Sequence, residues 1–283
     1  QDFIAVRNRL NAHYRQTQDI DFEDIAYSTI PNTFTGSYEG NGFKIKNIKI
    51  QYDSNSNAAH AVGLFGSIAN PVVINNLHVE GAEYVVNSTT NASDTIYVGG
   101  IAAFISTSSP RDVISNCSFQ GSISVVGNTG GGRYLGGIVG RSESSSSAVN
   151  NNRIQNCTVN ASMSCAHISS YVFGIGQNMN ATNCHFSGEK KNKNGCSGIS
   201  NSSCTDCSVS NSTIVCDGAS VISGISNGNM DATRCTVSNS TISGIGTAVG
   251  ISLGSTSNCS IIDSTVKSSS TNTSHLVAGI SNF

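Results

Sequence analysis

The sequence contains no tryptophan and only three prolines and three methionines among 283 residues, and just 11 % of it is charged. Net charge is −2 with no basic stripe, which argues against nucleic acid as a partner. No run reaches the roughly 18 apolar residues of a membrane-spanning helix, so membrane insertion is not expected. No secretory signal stands at Gln1, as in a chain read after signal cleavage or in a fragment. Aromatic residues are sparse at 6 %, and Ser, Asn, Thr and Gly dominate the remainder. Such a composition borders on that of disordered chains. The regular recurrence of Ile, Val and Phe points instead to a thin apolar core wrapped in small polar residues, as in an elongated solenoid.

Signatures of catalysis and metal chemistry are also missing. The six histidines (13, 60, 78, 167, 185 and 275) show no paired spacing. No Gly-x-Ser-x-Gly elbow with a supporting histidine occurs, and no Lys-Ser/Thr follows the glycine-rich loop 127–132. Cys204-x-x-Cys207 has a zinc-like spacing, but neither a second pair nor a histidine cluster completes it. Acidic residues crowd the first forty positions (Asp19, Asp21, Glu23, Asp24, Glu39) and are scattered elsewhere, whereas a glycan-cleaving β-helix needs clustered acids on one face. The expectation is no enzyme, no cofactor and no metal.

What is present is a repeat. Val62-Gly63-Leu64-Phe65-Gly66 returns as Gly99-Gly100-Ile101-Ala102, Gly136-Gly137-Ile138-Val139-Gly140 and Phe173-Gly174-Ile175-Gly176. It continues through Gly198-Ile199, Gly224-Ile225, Gly250-Ile251 and Gly279-Ile280. From glycine to glycine the steps are 37, 37, 37, 24, 26, 26 and 29 residues. A period in this range is the mark of a solenoid. The expectation is one strand of a coil, laid down eight times.

A second recurring segment runs Ile74-Asn75-Asn76-Leu77-His78-Val79, Ile114-Ser115-Asn116-Cys117-Ser118-Phe119, Ile154-Gln155-Asn156-Cys157-Thr158-Val159, and on to Asn258-Cys259-Ser260-Ile261. Period-two alternation places Cys and Val inward and the hydroxyls outward. Cys117, Cys157, Cys184, Cys207, Cys235 and Cys259 therefore form one inward column, read as a ladder of small buried thiols. Disulfides remain an alternative, with Cys165–Cys196 and pairs involving Cys204 or Cys216 the ones to test. Asn precedes the inward residue in five of the seven copies, as expected of a stacked corner with left-handed backbone. A third strand is expected at 123–125, 213–215, 241–243 and 265–267, after corners at Asn211, Asn239 and Asp263. Three strands per turn make a triangular coil. Phe3, Val6 and Leu10 fit a short amphipathic helix covering its first rung.

The entry region reads Asp19-Ile20-Asp21-Phe22, Ile30-Pro31-Asn32 and a Phe34-Thr35-Gly36 stretch leading through Gly40-Asn41-Gly42-Phe43 to Ile45. With the Gly63–Gly66 segment and Ile74 to Leu77, it resembles the GLUG repeats of bacterial surface proteins over roughly residues 3 to 140. Asn32 replaces the usual Gly, Glu39 the usual Asp and Phe43 the usual His. The resemblance implies an all-β right-handed parallel β-helix in an extracellular or cell-surface protein. It further implies an adhesin-like role with carbohydrate or host protein as ligand.

The expected organisation is a cap with entry strands over 1–50 and continuous repeats over 51–283. The N-terminal half carries insertions at 86–95, 105–113, 126–133 and 141–153, and repeat insertions on one face often bind. The candidate binding residues there are Thr107, Arg111, Asp112, Arg133, Tyr134, Arg141 and Glu143. The alternative reading is a filament subunit or spacer, with end-to-end self-association through an uncapped last rung; glycan cleavage is the weakest reading.

Overall fold

A computed structural model describes residues 2–54, 58–69, 72–88, 94–106, 113–127, 131–143, 153–218, 221–226, 230–270 and 277–280. The chain winds into an all-β parallel β-helix. Every strand pairing among the described residues is parallel and joins one turn to the next. Such crossovers take the right-handed sense in about 98 % of cases.

The turns present four faces rather than three. The asparagine face is a nine-stranded sheet running from His13–Arg15 and Ser37–Glu39 through Val73–Asn75, Val113–Ser115 and Arg153–Gln155 to Thr256–Ser257. The long face contains twelve strands, among them His78–Ser88, Ser118–Val126, Thr158–Cys165, His185–Asn192 and Ser208–Cys216. The tyrosine face has eight, including His60–Val62, Ile96–Gly99, Arg133–Gly136, Ser170–Phe173 and Gly195–Ser197. The short face has five: Ile30–Phe34, Phe65–Ile68, Ala102–Ile105, Val139–Ser142 and Gly176–Gln177. It ends there, in the same place where the repeat step falls from 37 to 24 residues. The residues that read as a long loop in the early repeats thus build a fourth face, and the later turns omit it.

The Gly-aliphatic segment is a corner rather than a strand. Gly99 closes one strand, Gly100 and Ile101 bend, and the next strand opens at Ala102. Leu64, Ile101, Ile138, Ile175, Ile199, Ile225 and Ile251 at these corners are all fully buried. Glycine is required by close approach. A Cβ on Gly137 would lie 2.3 Å from the Gly174 carbonyl oxygen and 2.5 Å from Val159 Cγ1. No side chain fits where successive corners stack this tightly.

The asparagine corner is as expected. Asn76, Asn116, Asn156, Asn183, Asp206, Arg234 and Asn258 all have φ between 50° and 55°. Asn156 Nδ2 donates to Asn116 Oδ1 at 2.9 Å, and Asn183 Nδ2 to Asn156 Oδ1 at 2.9 Å. Where Asn gives way, Arg234 Nε meets Asp206 Oδ1 at 2.6 Å. The expected third strand is the continuation of the long face across a kink. The kink falls on residues of positive φ, Gly81, Gly121 and Gly188 in early turns and Asn211, Asn239 and Asp263 in later ones. The strand Ser208–Cys216 runs through it unbroken.

Inside, like stacks on like. Ile74, Ile114, Ile154 and Ala181 form one fully or almost fully buried column, and Val79, Phe119, Val159 and Phe186 another. The N-terminal cap over Asp2–Asn8 is a 3₁₀-helix rather than an α-helix. Phe3 and Val6, three residues apart, both reach 1 % exposure, a spacing that a three-residue turn satisfies directly. Phe3 packs edge-on against Phe65 at 5.5 Å and Tyr38 at 5.4 Å. The entry strands over 1–50 join the same sheets as the repeats, so they continue the coil.

Candidate functional site

On the tyrosine face, strand alternation sends Ile96 and Val98 inward and Tyr97 outward, and repeats this for Tyr134 and Tyr171. The register aligns Tyr97 with Tyr134 and Tyr134 with Tyr171. Their rings stack on the outside of the coil, half-buried. Tyr97 and Tyr134 are 5.5 Å apart at 17°, and Tyr134 and Tyr171 5.7 Å apart at 5°. The column begins at Ala61 and passes to Gly195 after Tyr171.

The short face supplies the other wall. Phe104 packs on Tyr97 at 4.6 Å, and the Arg141 guanidinium lies 4.3 Å from the centre of the Tyr134 ring. Phe104 is in register with Arg141, and Arg141 with Gln177. Outward side chains of two faces meet only if the corner between them is concave. Gly140 agrees with this geometry: a Cβ there would sit 2.7 Å from the Val98 carbonyl oxygen of the tyrosine face. The result is a groove along the coil axis in which Phe104 and Arg141 pack against the stacked phenols; Gln177, in register with Arg141, is buried. Burial pushes the Tyr97 hydroxyl pKa up, while the nearby Arg141 charge opposes the shift. Arg141 has no carboxylate partner among the described residues. Glu143 is exposed just beyond the strand.

Three of the expected binding residues, Tyr134, Arg141 and Glu143, thus gather at this groove. Thr107, Arg111 and Asp112 lie outside the described residues. Arg133 is a correction. It is fully buried, because its strand alternates and Tyr134 takes the outward position. Its guanidinium bonds Asp94 Oδ1 at 2.9 Å, the Asp94 carbonyl at 2.6 Å and Ser88 Oγ at 2.8 Å. Ser54 Oγ donates to Asp94 Oδ2 at 2.5 Å. This pair ties three turns together inside the coil and is unavailable to a ligand. Tyr97, Phe104 and Tyr171 were not among the expected site residues. A signal existed: each tyrosine stands three residues before the corner glycine (100, 137 and 174).

Other chemistry is quiet. All ten cysteines are free thiols, and nine of them are buried. Cys117 Sγ donates to the Ser115 carbonyl at 3.0 Å and Cys157 Sγ to that of Gln155 at 3.2 Å. Burial pushes the Cys157 thiol pKa well up, which suits a small hydrophobe rather than a nucleophile. Asp19, Asp21 and Glu39 of the entry region have partners that favour the charged form. Asp19 meets Lys46 at 2.6 Å, a hydrogen bond that lowers its pKa. Burial raises that of Glu39, but bonds from Asn76, Asn41 and Asn75 outweigh it and hold the carboxyl low. Among the described residues, no three His, Cys, Asp or Glu side chains are grouped to hold a metal ion.

No family model and no curated protein matches this sequence. Among solved structures the chain is similar to the crystal structure of a putative immunoglobulin A1 protease from Bacteroides ovatus. The TM-score is 0.51 at 18 % identity, over 99 % of this chain and 80 % of that one. At this identity the likeness concerns the fold.

Proposed function

We infer that this chain is a non-enzymatic, adhesin-like protein, secreted or held at the cell surface, that binds carbohydrate or a host surface protein through the groove between its tyrosine and short faces. The observation that carries the reading is the stack of Tyr97, Tyr134 and Tyr171 on the outside of the coil. Aromatic rings are costly to leave half in water and are a recurrent means of holding amphipathic ligands. The resemblance to GLUG-repeat surface proteins supports the same class. The carboxyls of Asp19, Asp21 and Glu39, all held low, support binding over cleavage, since general acid catalysis needs a carboxyl whose pKa is raised. The test is a glycan array and a host-surface pull-down with the natural chain and Tyr134→Ala. Capture that Tyr134→Ala loses is expected; capture equal for both chains removes the groove from consideration.

A further inference from the structure

Another cleft lies apart from the tyrosine groove, at the outer corner where the long face ends. Ser124, Ser164 and Lys191 are in register there and point outward on three successive turns. Val126 and Ala166, one residue past the aligned Val125 and Cys165, follow the same turns, and Lys193 follows Asn192. Ser164 and Ala166 are small, and a cleft of about 350 Å³ opens over them. Val126, 52 % exposed, stands on its N-terminal side, and the exposed Lys191 and Lys193 on its C-terminal side. These two walls are two turns apart, which is about 10 Å.

The charges at this cleft are unmatched. Lys44, Lys46 and Lys49 of the entry region each meet a carboxylate, whereas Lys191 and Lys193 form no ion pair among the described residues. Glu189 shares the outward side of Lys191, and Asp217 lies one turn beyond Lys193, yet neither is within ion-pair distance of them. Each ammonium brings three donors, and two converging on one anion make charge-assisted bonds. The hydroxyls of Ser124 and Ser164 are 3.4 Å apart beside the exposed Val126, so polar and apolar contacts lie side by side. That mixture suits a sugar ring, which has a hydroxylated edge and an apolar face, better than a purely apolar ligand. We propose that this cleft binds one residue of an acidic glycan: the ring over Ala166 against Val126, its hydroxyls on Ser124 and Ser164, and its carboxylate or sulfate between Lys191 and Lys193.

The test uses the full chain and matched oligosaccharides, followed by calorimetry or biolayer interferometry. The pairs are galacturonate oligomers with and without methyl esterification, sialyllactose against lactose, and sulfated lactose against lactose. At least one acidic member is expected to bind about tenfold or more tightly than its neutral partner, with the preference shrinking as salt is raised. Preference in the first two pairs identifies a carboxylate, and in the third a sulfate. The double variant Lys191→Gln, Lys193→Gln should abolish the preference, and Ala166→Phe, which fills the cleft from an exposed position, should remove binding of the acidic member. Circular dichroism melts establish that each variant is folded. Tyr134→Ala should leave the preference unchanged, which separates this cleft from the tyrosine groove: either can fail while the other stands. Equal binding of acidic and neutral partners, failure of the natural chain to bind any member, or a preference that survives the lysine variant or Ala166→Phe overturns the proposal. So does a glutamate-rich peptide that displaces the acidic sugar and binds more tightly than it, since the cleft would then belong to acidic protein.

Discussion

The two halves of the coil share three faces and differ in the fourth. Through the strand Gly176–Gln177 each turn adds a short face, and the corner it makes with the tyrosine face is concave. Beyond it the chain passes directly from Ile199 toward the strand at Cys204, and Gly195 replaces the outward tyrosine. The left-handed backbone of the asparagine corner and the buried aliphatic residues of the glycine corner, Leu64 to Ile251, run through both halves, although Asp206 and Arg234 stand in for Asn in the plain one. The scaffold therefore needs only 24 to 29 residues per turn, against 37 in the early turns, where the additional residues make a groove lined with aromatic rings. The same contrast appears in the two Arg–Asp pairs. Arg133–Asp94 is fully buried in the elaborated half, and Arg234–Asp206 lies at the surface of the plain half.

The largest effect should come from splitting those pairs. Asp94→Ala strands a buried guanidinium, and a loss of about 3–5 kcal/mol is expected in urea unfolding. Arg234→Ala removes an exposed pair and should leave the midpoint almost unmoved. Similar losses for both would erase the distinction between the halves.

Next come the corner glycines. Gly137→Ala in the elaborated half and Gly224→Ala in the plain half each push a Cβ to within 2.3 and 2.1 Å of the next carbonyl oxygen. Each should cost on the order of 1–3 kcal/mol, by chemical denaturation. A tolerant Gly224 would mean that the plain coil is looser than the elaborated one.

Lys190 marks the border between the halves. It fills the column of Met163 and Ile214, is 1 % exposed, and gives its ammonium protons to the Ser197 and Gly198 carbonyls at 2.6 and 3.0 Å. Burial drives its pKa well below the ordinary value. For a base with a depressed folded pKa, the unfolded chain binds the proton more readily, so stability falls as pH drops below about 10.4 toward the folded value. Lys190→Met removes that dependence. Its stability gain over the natural chain should be near zero above about pH 11 and widen toward neutrality, measured by urea titrations at several pH values. A gap that is constant with pH would count against the assignment.

The smallest effect is expected from Arg234→Asn, which restores the residue of the early turns at a position with φ 52°. Asparagine tolerates this backbone better than arginine, but the bond to Asp206 is lost, so a melting shift within about 2 °C is expected.

Much of the coil was legible in the residues. The Gly-aliphatic period, the inward Cys column and the Asn before it each follow from local rules of alternation and left-handed backbone. The kinks at Asn211, Asn239 and Asp263 were also visible, though not that the segments on either side share one sheet. The groove was only half legible. Tyr134, Arg141 and Glu143 were identified because they flank an insertion, and Arg133 was placed with them because sequence neighbours in a loop are expected to share a surface. In a strand they do not: one step along the chain turns a side chain from water to core.

The sequence by itself determined that this protein is a parallel β-helix, because stacked columns need the same kind of residue at the same place in each turn, and that demand is written in the period. Only the tertiary structure decided which of the outward columns lines a groove. Outwardness is a local property of a strand, whereas concavity depends on how two faces close against each other. Here that closure rests on Gly140 lying against the backbone of Val98, a contact between residues of different turns that no local pattern announces.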